Sequence, residues 1–357
     1  MLDSRSSLSD EFAHHVIQLP FAYGGAVGSG TFRCLPEDFI VNEQLSFEPS
    51  EEGEHVFLSI QKTALNTDDV AQTLARFASV KRRDVAYAGM KDRHARTTQT
   101  FSVHLPGKES PDWSELNSDN LKIIGISRHK KKLKTGAIKN NTFTITIKGC
   151  EIDEQAFRET FLNISKKGVP NYFMEQRFGR NGHNLLMAYD VFSKGESFKS
   201  KRVKGLLLSA VRSYLFNSIL SKRVFDETWN KALSGEAFVL AGTRQFFVEE
   251  SISEDIVDRL ECHDIHPSGP LYGVGKATIH SIVEDIEQLV LKDHDVFCDG
   301  LVNEKVAGSR RALRVLPKNM CIDDVDETTK KLSFELPSGS YATAVLRELF
   351  ILKNGSR

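Results

Sequence analysis

The stretch TFTITIK, residues 142–148, alternates bulky apolar side chains with threonines. Successive side chains of an extended chain point to opposite faces, so Phe143, Ile145 and Ile147 share one face and the threonines share the other. A period of two predicts a β-strand with one face in a core. The same pattern predicts strands within residues 30–47, 55–62, 85–89, 97–105, 121–128 and 331–337. The sequence around TFTITIK is therefore typical of a sheet-forming domain.

Two segments between these strands have helical spacing instead. A helix with one buried face is predicted after Thr67, its expected N-cap, because Val70, Leu74 and Phe77 recur at intervals of three and four. A second helix follows TFTITIK and is predicted to end at Gly168, a residue type that favours helix ends.

Beyond Gly168 the sequence becomes rich in helical patterns, with glycine and proline breaks, until about Arg314. Strand character returns only at 331–337, and a short helix is predicted after it. The simplest organisation is an α/β domain built from both chain ends, residues 1–166 and 316–357. An inserted, mainly helical domain, residues 167–315, interrupts it.

Composition sets the broad class of the protein. The chain has 357 residues, of which 40% are hydrophobic and 27% are charged, as in ordinary globular proteins. Its length favours two domains. The five cysteines are scattered without paired spacing, which is typical of reduced thiols, and no apolar run reaches the length of a membrane span. These features predict a cytoplasmic protein with no membrane contact.

Charge is distributed unevenly although the formal net charge is only −1. Basic runs occur at 81–83, 91–96, 128–134, 199–204 and 309–311. Acidic residues concentrate at 48–54 and 323–327. Each basic run alone is typical of a solvated surface, but several of them together permit a basic groove that binds nucleic acid.

One basic run surrounds a single carboxylate. In GMKDRHARTTQTFSV, residues 89–103, Asp92 follows Lys91 and precedes Arg93, in the turn between two predicted strands. One interpretation is a turn residue that pairs with Lys91 or Arg93. The other is a catalytic carboxylate that nearby cations keep ionised, since opposite charges favour the charged form.

Other chemistries lack their sequence signatures. The best candidate for a metal site is CHDIH, with Cys262, His263 and His266, but no second ligand pair accompanies it. The G-x-S-x-G elbow of a serine hydrolase is absent. No cofactor motif was found, so neither a metal nor an organic cofactor is predicted.

Six long motifs carry a resemblance to a known family. GMKDRHARTTQTFSV resembles the catalytic motif of the TruD family of tRNA pseudouridine synthases. The other matching stretches, in the family's order, are PEDFIVNE (36–43), EGEHVFLSIQKTALNT (52–67), RHKKKLKTGAIKNNTFTI (128–145), GVPNYFMEQRFGRNGHN (168–184) and LPSGSYATAVLREL (336–349). The resemblance spans nearly the whole chain. It implies an α+β fold, in which a catalytic domain with a mixed, largely antiparallel sheet is interrupted by the inserted domain of the family.

The resemblance also implies a site and a substrate. Asp92 corresponds to the catalytic aspartate of the family. The substrate-binding positions are Phe39, Lys91, Asn141, Phe143 and Tyr341, and Tyr341 stands where many relatives have phenylalanine. The implied activity is isomerisation of uridine to pseudouridine, at uridine 13 in the D-arm of tRNA, without a cofactor. A basic cleft between the two domains is expected to accept the tRNA, and no protein partner is implied.

Several alternatives stay open at the level of sequence. Asp92 has the chemistry either of a nucleophile towards sugar or uracil, or of a base that removes a ribose proton. Phe143 is either a ring that stacks on the flipped uracil or a core residue. A non-catalytic RNA-binding protein would have the same basic runs without a need for Asp92. A metal-dependent nuclease or deaminase would use Asp92, His94 and the CHDIH cluster.

Overall fold

The computed structural model of the chain describes residues 2–275 and 279–355. The strands in chain order are β1 (Gly28–Phe32), β2 (Phe39–Leu45), β3 (His55–Thr63), β4 (Val85–Tyr87), β5 (Arg96–His104), β6 (Leu121–His129), β7 (Ile138–Ile152), β8 (Val169–Pro170), β9 (Glu236–Leu240), β10 (Phe246–Glu249), β11 (Ile265–Leu271), β12 (Ser309–Ala312), β13 (Arg314–Val315), β14 (Lys318–Asp326), β15 (Thr329–Pro337) and β16 (Phe350–Asn354). The helices are α1 (Leu2–Ile17), α2 (Thr67–Phe77), α3 (Glu154–Lys167), α4 (His183–Lys194), α5 (Lys201–Phe225), α6 (Glu254–Glu261), α7 (Ser281–Leu291), α8 (Asp295–Asn303) and α9 (Ala342–Leu349).

The chain forms two compact units. The sheet unit comprises Val27–Ser165, Pro317–Ala342 and Leu349–Arg357. The helical unit comprises Met1–Ala26, Lys166–Leu316 and Thr343–Glu348. The N-terminal residues and Thr343–Glu348, which the sequence analysis assigned to the domain of the chain ends, thus lie with the inserted region. The N-terminal helix α1 belongs to the helical unit because it packs there: the ring centroid of Phe12 in α1 lies 5.7 Å from that of Tyr214 in α5.

The sheet unit contains one large sheet in the order β14-β15-β7-β2-β5-β3-β6, with β1 beside β7, β16 beside β1 and β4 beside β5. The pairs β1 with β16 and β2 with β5 are parallel, and the remaining pairs are antiparallel. The predicted mixed, largely antiparallel sheet of an α+β fold is confirmed. β7, the strand of TFTITIK, lies inside this sheet with β15, β2 and β1 as partners, and its Phe143, Ile145 and Ile147 are all buried as the alternation predicts.

The helix α2 covers the face of β3 and β5 that carries their apolar side chains. Val70 and Leu74 of α2 pack with Leu58 and Phe101 in a fully buried cluster, as the helical spacing predicts. The N-cap is Asn66 and not Thr67, which is the first helical residue. This difference frees the Thr67 hydroxyl for contacts elsewhere in the unit.

The helical unit contains α1, α4, α5, α6, α7 and α8 together with a four-stranded antiparallel sheet in the order β10-β9-β11-β12. The helices were predicted, whereas this sheet was not. Inside the unit the guanidinium of Arg223 pairs with Glu236 at 2.8 Å, and both side chains are buried. Among the residues that the structure describes, no helix combines the length and apolar character needed to cross a bilayer.

The acidic strand β14 was also missed by the sequence analysis. It pairs with β15 in a hairpin. Apolar and polar residues alternate only weakly along Lys318–Asp326, because this strand is mostly exposed and rich in aspartate. Strands β3, β5, β6 and β15 lie where their alternation predicts, within one or two residues.

Candidate active site

The loop between β4 and β5 carries Asp92 at the surface of the sheet unit. Its side chain is 38% exposed, and its Oδ2 atom accepts a hydrogen bond from Nη2 of Arg33 at 2.6 Å. The neighbouring cations bind elsewhere: Lys91 pairs with Glu43, and Arg93 donates to the carbonyl oxygen of Ala64. The cation that holds the Asp92 carboxylate therefore comes from a residue 59 positions away, not from the flanking run.

Arg33 reaches Asp92 from the end of β1. Its guanidinium lies 4.0 Å from the ring centroid of Phe39 and 5.2 Å from that of Phe32, and its side chain is only 9% exposed. Stacking of a guanidinium on aromatic faces is favourable and restricts its orientation. Arg33 also has a backbone φ of 59°, a region that is uncommon for residues other than glycine. The ring of Phe39 thus supports the cation that orients Asp92.

Lys91 lies inside the sheet unit and contacts Glu43 and the predicted site residue Asn141. Its Nζ atom is 3.0 Å from Oε2 of Glu43 and donates to Oδ1 of Asn141 at 2.6 Å. Glu43 and Asn141 are directly opposite each other on β2 and β7, so one ammonium contacts both. Because an ammonium is only a donor, this contact fixes which amide atom of Asn141 faces Lys91. The NH₂ group of Asn141 is turned the other way.

The aromatic residues of the site form a row. The ring centroid of Phe143 lies 6.2 Å from that of Phe39 and 5.5 Å from that of Phe334. Phe39 is 2% exposed and Phe143 is 8% exposed. Phe143 thus packs in the core, and its stacking on uracil stays a prediction.

Tyr341 directly precedes α9 and lies five residues beyond Leu336, the partner of Asn141 in the pairing of β15 with β7. Its contact with substrate stays a prediction.

Buried polar contacts fix the backbone on the N-terminal side of Asp92. The Thr67 hydroxyl accepts from the backbone N–H of Lys91 at 3.0 Å and donates to Oε1 of Gln99 at 2.9 Å. The Gln99 amide then donates to the carbonyl oxygen of Gly89 at 3.1 Å. Buried polar groups that are fully paired in this way make a conformation rigid. Thr67 and Gln99 therefore hold the segment that leads into Asp92.

Comparison with known proteins identifies the family. The model of the family described as tRNA pseudouridine synthase D (TruD) matches residues 21–194 and 183–349. The chain belongs to the TruD family.

Individual relatives match over nearly their full length. The chain is 44% identical to tRNA pseudouridine synthase D of Methylococcus capsulatus over 331 residues, which cover 93% of this chain and 94% of the relative. It is 41% identical to the protein of the same name from Nitrosococcus oceani over 350 residues, which cover 96% and 95% of the two chains. A crystal structure named for a TruD protein of Methanosarcina mazei superposes with a TM-score of 0.72 at 24% identity, over 97% of this chain and 99% of that one. That last likeness shows that the fold is shared.

The structure also brings together two basic runs of this TruD-family protein. Lys132 donates from Nζ to the carbonyl oxygen of Arg83 at 2.5 Å, so the run 128–134 lies beside the run 81–83. Lys131, Lys132 and Lys134 are exposed, whereas Leu133 between them is buried. We call the surface formed by residues 81–83 and 130–134 the basic face. It presents several cations to solvent on the sheet unit.

The CHDIH cluster shows no ligand arrangement. His266 accepts through Nδ1 from Nε of Arg314 at 3.0 Å, and Cys262 is exposed. Within residues 2–275 and 279–355, no group of three or more His, Cys, Asp or Glu side chains has the geometry to hold a metal ion.

Sequence reasoning did not find Arg33, Glu43, Lys62, Thr67 or Gln99 as site residues. Each contacts the Asp92 loop in a way that residue spacing does not reveal. Lys62 had a usable signal, because it occupies an inward-facing position of the alternating strand HVFLSIQK, where a lysine is unusual.

Proposed function

We propose that this protein isomerises uridine to pseudouridine in tRNA, at uridine 13 of the D-arm, and that Asp92 is its only catalytic acid. The observation that carries the proposal is the half-buried Asp92 carboxylate, held by Arg33 at 2.6 Å within the motif that matches the family. The relatives named above are tRNA pseudouridine synthases, which supports tRNA as the substrate.

The chemistry requires little beyond one oriented carboxylate. The glycosidic bond between C1′ and N1 breaks, the uracil turns, a bond between C1′ and C5 forms, C5 loses its proton and N1 gains one. The reaction therefore involves no net oxidation and no hydrolysis. Arg33 binds Oδ2 of Asp92, and this contact leaves Oδ1 to face the substrate. In this position Oδ1 acts either as nucleophile or as the base that removes a ribose proton.

Recognition of the uracil follows from Asn141. Its Oδ1 atom accepts from Lys91, so its NH₂ group is the part that can meet a base. The O4 carbonyl oxygen of uracil is a matching acceptor, and cytosine carries an amino donor at this position. Asn141 thus selects a flipped uracil over cytosine, while the buried ion pair of Lys91 with Glu43 keeps the amide oriented.

Binding of the tRNA is assigned to basic surfaces that contact phosphates. The basic face supplies exposed lysines for this purpose, and phosphate contacts give affinity and register without reading sequence. The position in the tRNA is then determined by RNA shape and by access of the flipped base to Asp92.

The substitution Asp92→Asn tests the proposal. The asparagine has nearly the same shape and still accepts from Arg33, but it is neither an anionic nucleophile nor a competent base. We expect loss of tritium release from tRNA that contains 5-tritiated uridine, while the tRNA is still retained on filters. Stability should fall by no more than about 1–3 kcal/mol, the cost of a weakened bond to a largely buried cation.

Asp119→Asn, the same change at an exposed aspartate of the sheet unit, is the matched control and should keep full activity. A tRNA with cytidine in place of uridine 13 should release no tritium. Near-normal tritium release by the Asp92→Asn protein, in a preparation free of wild-type protein, would refute the catalytic role of Asp92. Wild-type protein that binds tRNA without any release would instead support the non-catalytic RNA-binding alternative.

A further inference from the structure

Lys62 is a fully buried lysine next to the Asp92 loop. It lies near the end of β3, and its relative exposure is 0%. Lysine is almost never completely buried unless its ammonium has partners, because removing a charge from water is costly. A lysine on the inner face of a strand is therefore expected only where its ammonium has specific partners.

The ammonium of Lys62 bonds to two backbone carbonyls. Nζ donates to the carbonyl oxygen of Leu65 at 2.7 Å and to that of Asp92 at 3.0 Å. Among the described residues, no carboxylate forms an ion pair with it. Hydrogen bonds from a charged donor are roughly twice as strong as neutral ones. Lys62 therefore ties the loop of Asp92 to the segment that leads into α2.

Two longer hydrogen bonds also join these two segments, and the first runs from the backbone N–H of Ala64 to the carbonyl oxygen of Ala95 at 3.4 Å. Arg93 donates from Nε to the carbonyl oxygen of Ala64 at 3.4 Å, and its side chain is exposed. The Lys62 bond to Asp92 is shorter and is shielded from water. Asp92 is thus held at two points by two cations, at its carboxylate by Arg33 and at its carbonyl by Lys62.

The surroundings of Lys62 set its charge. Burial lowers its pKa to about 8, while the charge of Asp92 raises that pKa and the charge of Lys91 lowers it. Its neighbours across β5 and β6 are Thr97 and Leu121, which do not titrate in this range.

The first turn of α2 carries Asp68 and Asp69, and both bond to other partners at the surface. Lys62 is therefore protonated at neutral pH and loses its proton under mildly alkaline conditions.

We propose that Lys62 is a positioning residue for uridine isomerisation: its ammonium fixes the backbone of Asp92 and adds a positive charge behind the catalytic carboxylate. This inference rests on the function proposed above. Deprotonation of Lys62 weakens the bond to the Asp92 carbonyl and removes that charge. The turnover number of the wild-type protein should accordingly fall as the pH rises through about 8.

Stability should move in the opposite direction. The pKa of Lys62 is lower in the folded protein than its ordinary value, so between these two values the unfolded chain binds more protons than the folded one. Its contribution to the free energy of unfolding therefore increases with pH above about 8. A residue with a purely structural role would lose activity and stability together.

Replacement of Lys62 by methionine separates the two effects. Lys62→Met keeps an unbranched side chain of similar length but removes the charge and the donors. We expect kcat to fall about 10–100-fold, the effect of a slightly misplaced reacting group, with KM within about threefold of wild type. The thermal midpoint at pH 7 should stay close to that of wild type, since removing a buried charge offsets the loss of a donor to the carbonyl oxygens of Leu65 and Asp92. The fall in kcat near pH 8 should vanish from the pH profile.

Two further variants complete the experiment. Lys62→Arg retains a charge that does not titrate, so it should keep more activity than Lys62→Met and should show no fall near pH 8. Ile60→Val, at the next inward position of β3, is the control for mild loss of packing and should keep the wild-type pH profile.

The outcomes distinguish this inference from the proposed function. Wild-type protein that releases no tritium from tRNA would overturn the proposed function itself. Active wild-type protein whose kcat stays constant between pH 7 and pH 9 would overturn the role of Lys62, as would a Lys62→Met protein with unchanged kcat. The wild-type profile gives this answer even if the methionine variant does not fold.

Discussion

Two roles of Phe143, packing in the core and stacking on the base, can be distinguished by measurement. The substitution Phe143→Ala removes the whole ring. The residue is 8% exposed and lies against the rings of Phe39 and Phe334 at 6.2 and 5.5 Å. Truncation of a buried phenylalanine costs about 3–5 kcal/mol, because transferred area is lost and a cavity remains. Typical proteins have only about 5–15 kcal/mol of stability, so the change is large. We expect the thermal midpoint to fall by roughly 6–20 °C.

If the Phe143 ring stacks on uracil, its removal should also weaken binding of the base. Loss of an aromatic platform costs about 1–3 kcal/mol of base binding, which corresponds to about 5- to 140-fold in affinity or rate. Phe143→Leu isolates this term, since leucine retains most of the apolar volume but has no π face. If Phe143 stacks on uracil, the leucine variant should remain folded and lose kcat/KM within that range. Phe143→Tyr should retain most of the activity where the core accommodates the hydroxyl.

Thermal melts and tritium release from tRNA, measured on the same preparations, give both quantities. Phe334→Leu is the matched control, because Phe334 is 1% exposed and belongs to the same row of rings without a predicted contact to substrate. Equal losses of kcat/KM in the two leucine variants would refute stacking by Phe143. A Phe143→Ala protein that melts within about 2 °C of wild type would refute the packing argument itself.

Two further predictions concern charge. Alanine in place of Lys131, Lys132 and Lys134 should weaken the salt dependence of tRNA binding, because each phosphate contact releases counterions. The slope of log affinity against log salt concentration should decrease in magnitude by up to about 2–3. An unchanged slope in filter binding would show that these lysines are ordinary solvated residues. Glu43→Gln should lower the free energy of unfolding, measured with urea, by about 3–5 kcal/mol. The reason is that the Lys91 side chain is only 7% exposed and Glu43 is its only paired carboxylate among the described residues. The double variant Glu43→Gln, Lys91→Met should recover most of that loss, and a single variant as stable as wild type would contradict the argument.

The sequence predicted the parts of the fold that depend on local periodicity. The alternation in TFTITIK predicts the inner face of β7, and the spacing of Val70, Leu74 and Phe77 predicts the buried face of α2. These patterns are reliable because burial of one face is itself what stabilises the element. The strand β14 was missed because most of its side chains face solvent, so its pairing with β15 leaves no apolar alternation.

The site was predicted only where a motif carries it. Asp92 and Asn141 stand in stretches that resemble the family, whereas Arg33 and Glu43 are recognisable only after strand pairing is known. The register places Glu43 opposite Asn141, and the end of β1 places Arg33 beside Asp92. The flanking cations Lys91 and Arg93, which the sequence offered as partners of Asp92, bind Glu43 and Ala64 instead. Proximity along the chain was therefore a poor guide to ion pairing.

The charges around Asp92 bear on the proposed reaction with an anionic RNA. Arg33, Lys62 and Lys91 are cations, and Asp92 and Glu43 are anions, so this group of five carries one net positive charge at neutral pH. Glu43 neutralises Lys91 and leaves two cations to act on Asp92. A second carboxylate near Asp92 would instead repel the phosphates of the flipped nucleotide and favour protonation of one acid. In the proposed reaction, this excess of cations favours the approach of the RNA backbone, because the positive charge is fixed in place before the substrate binds.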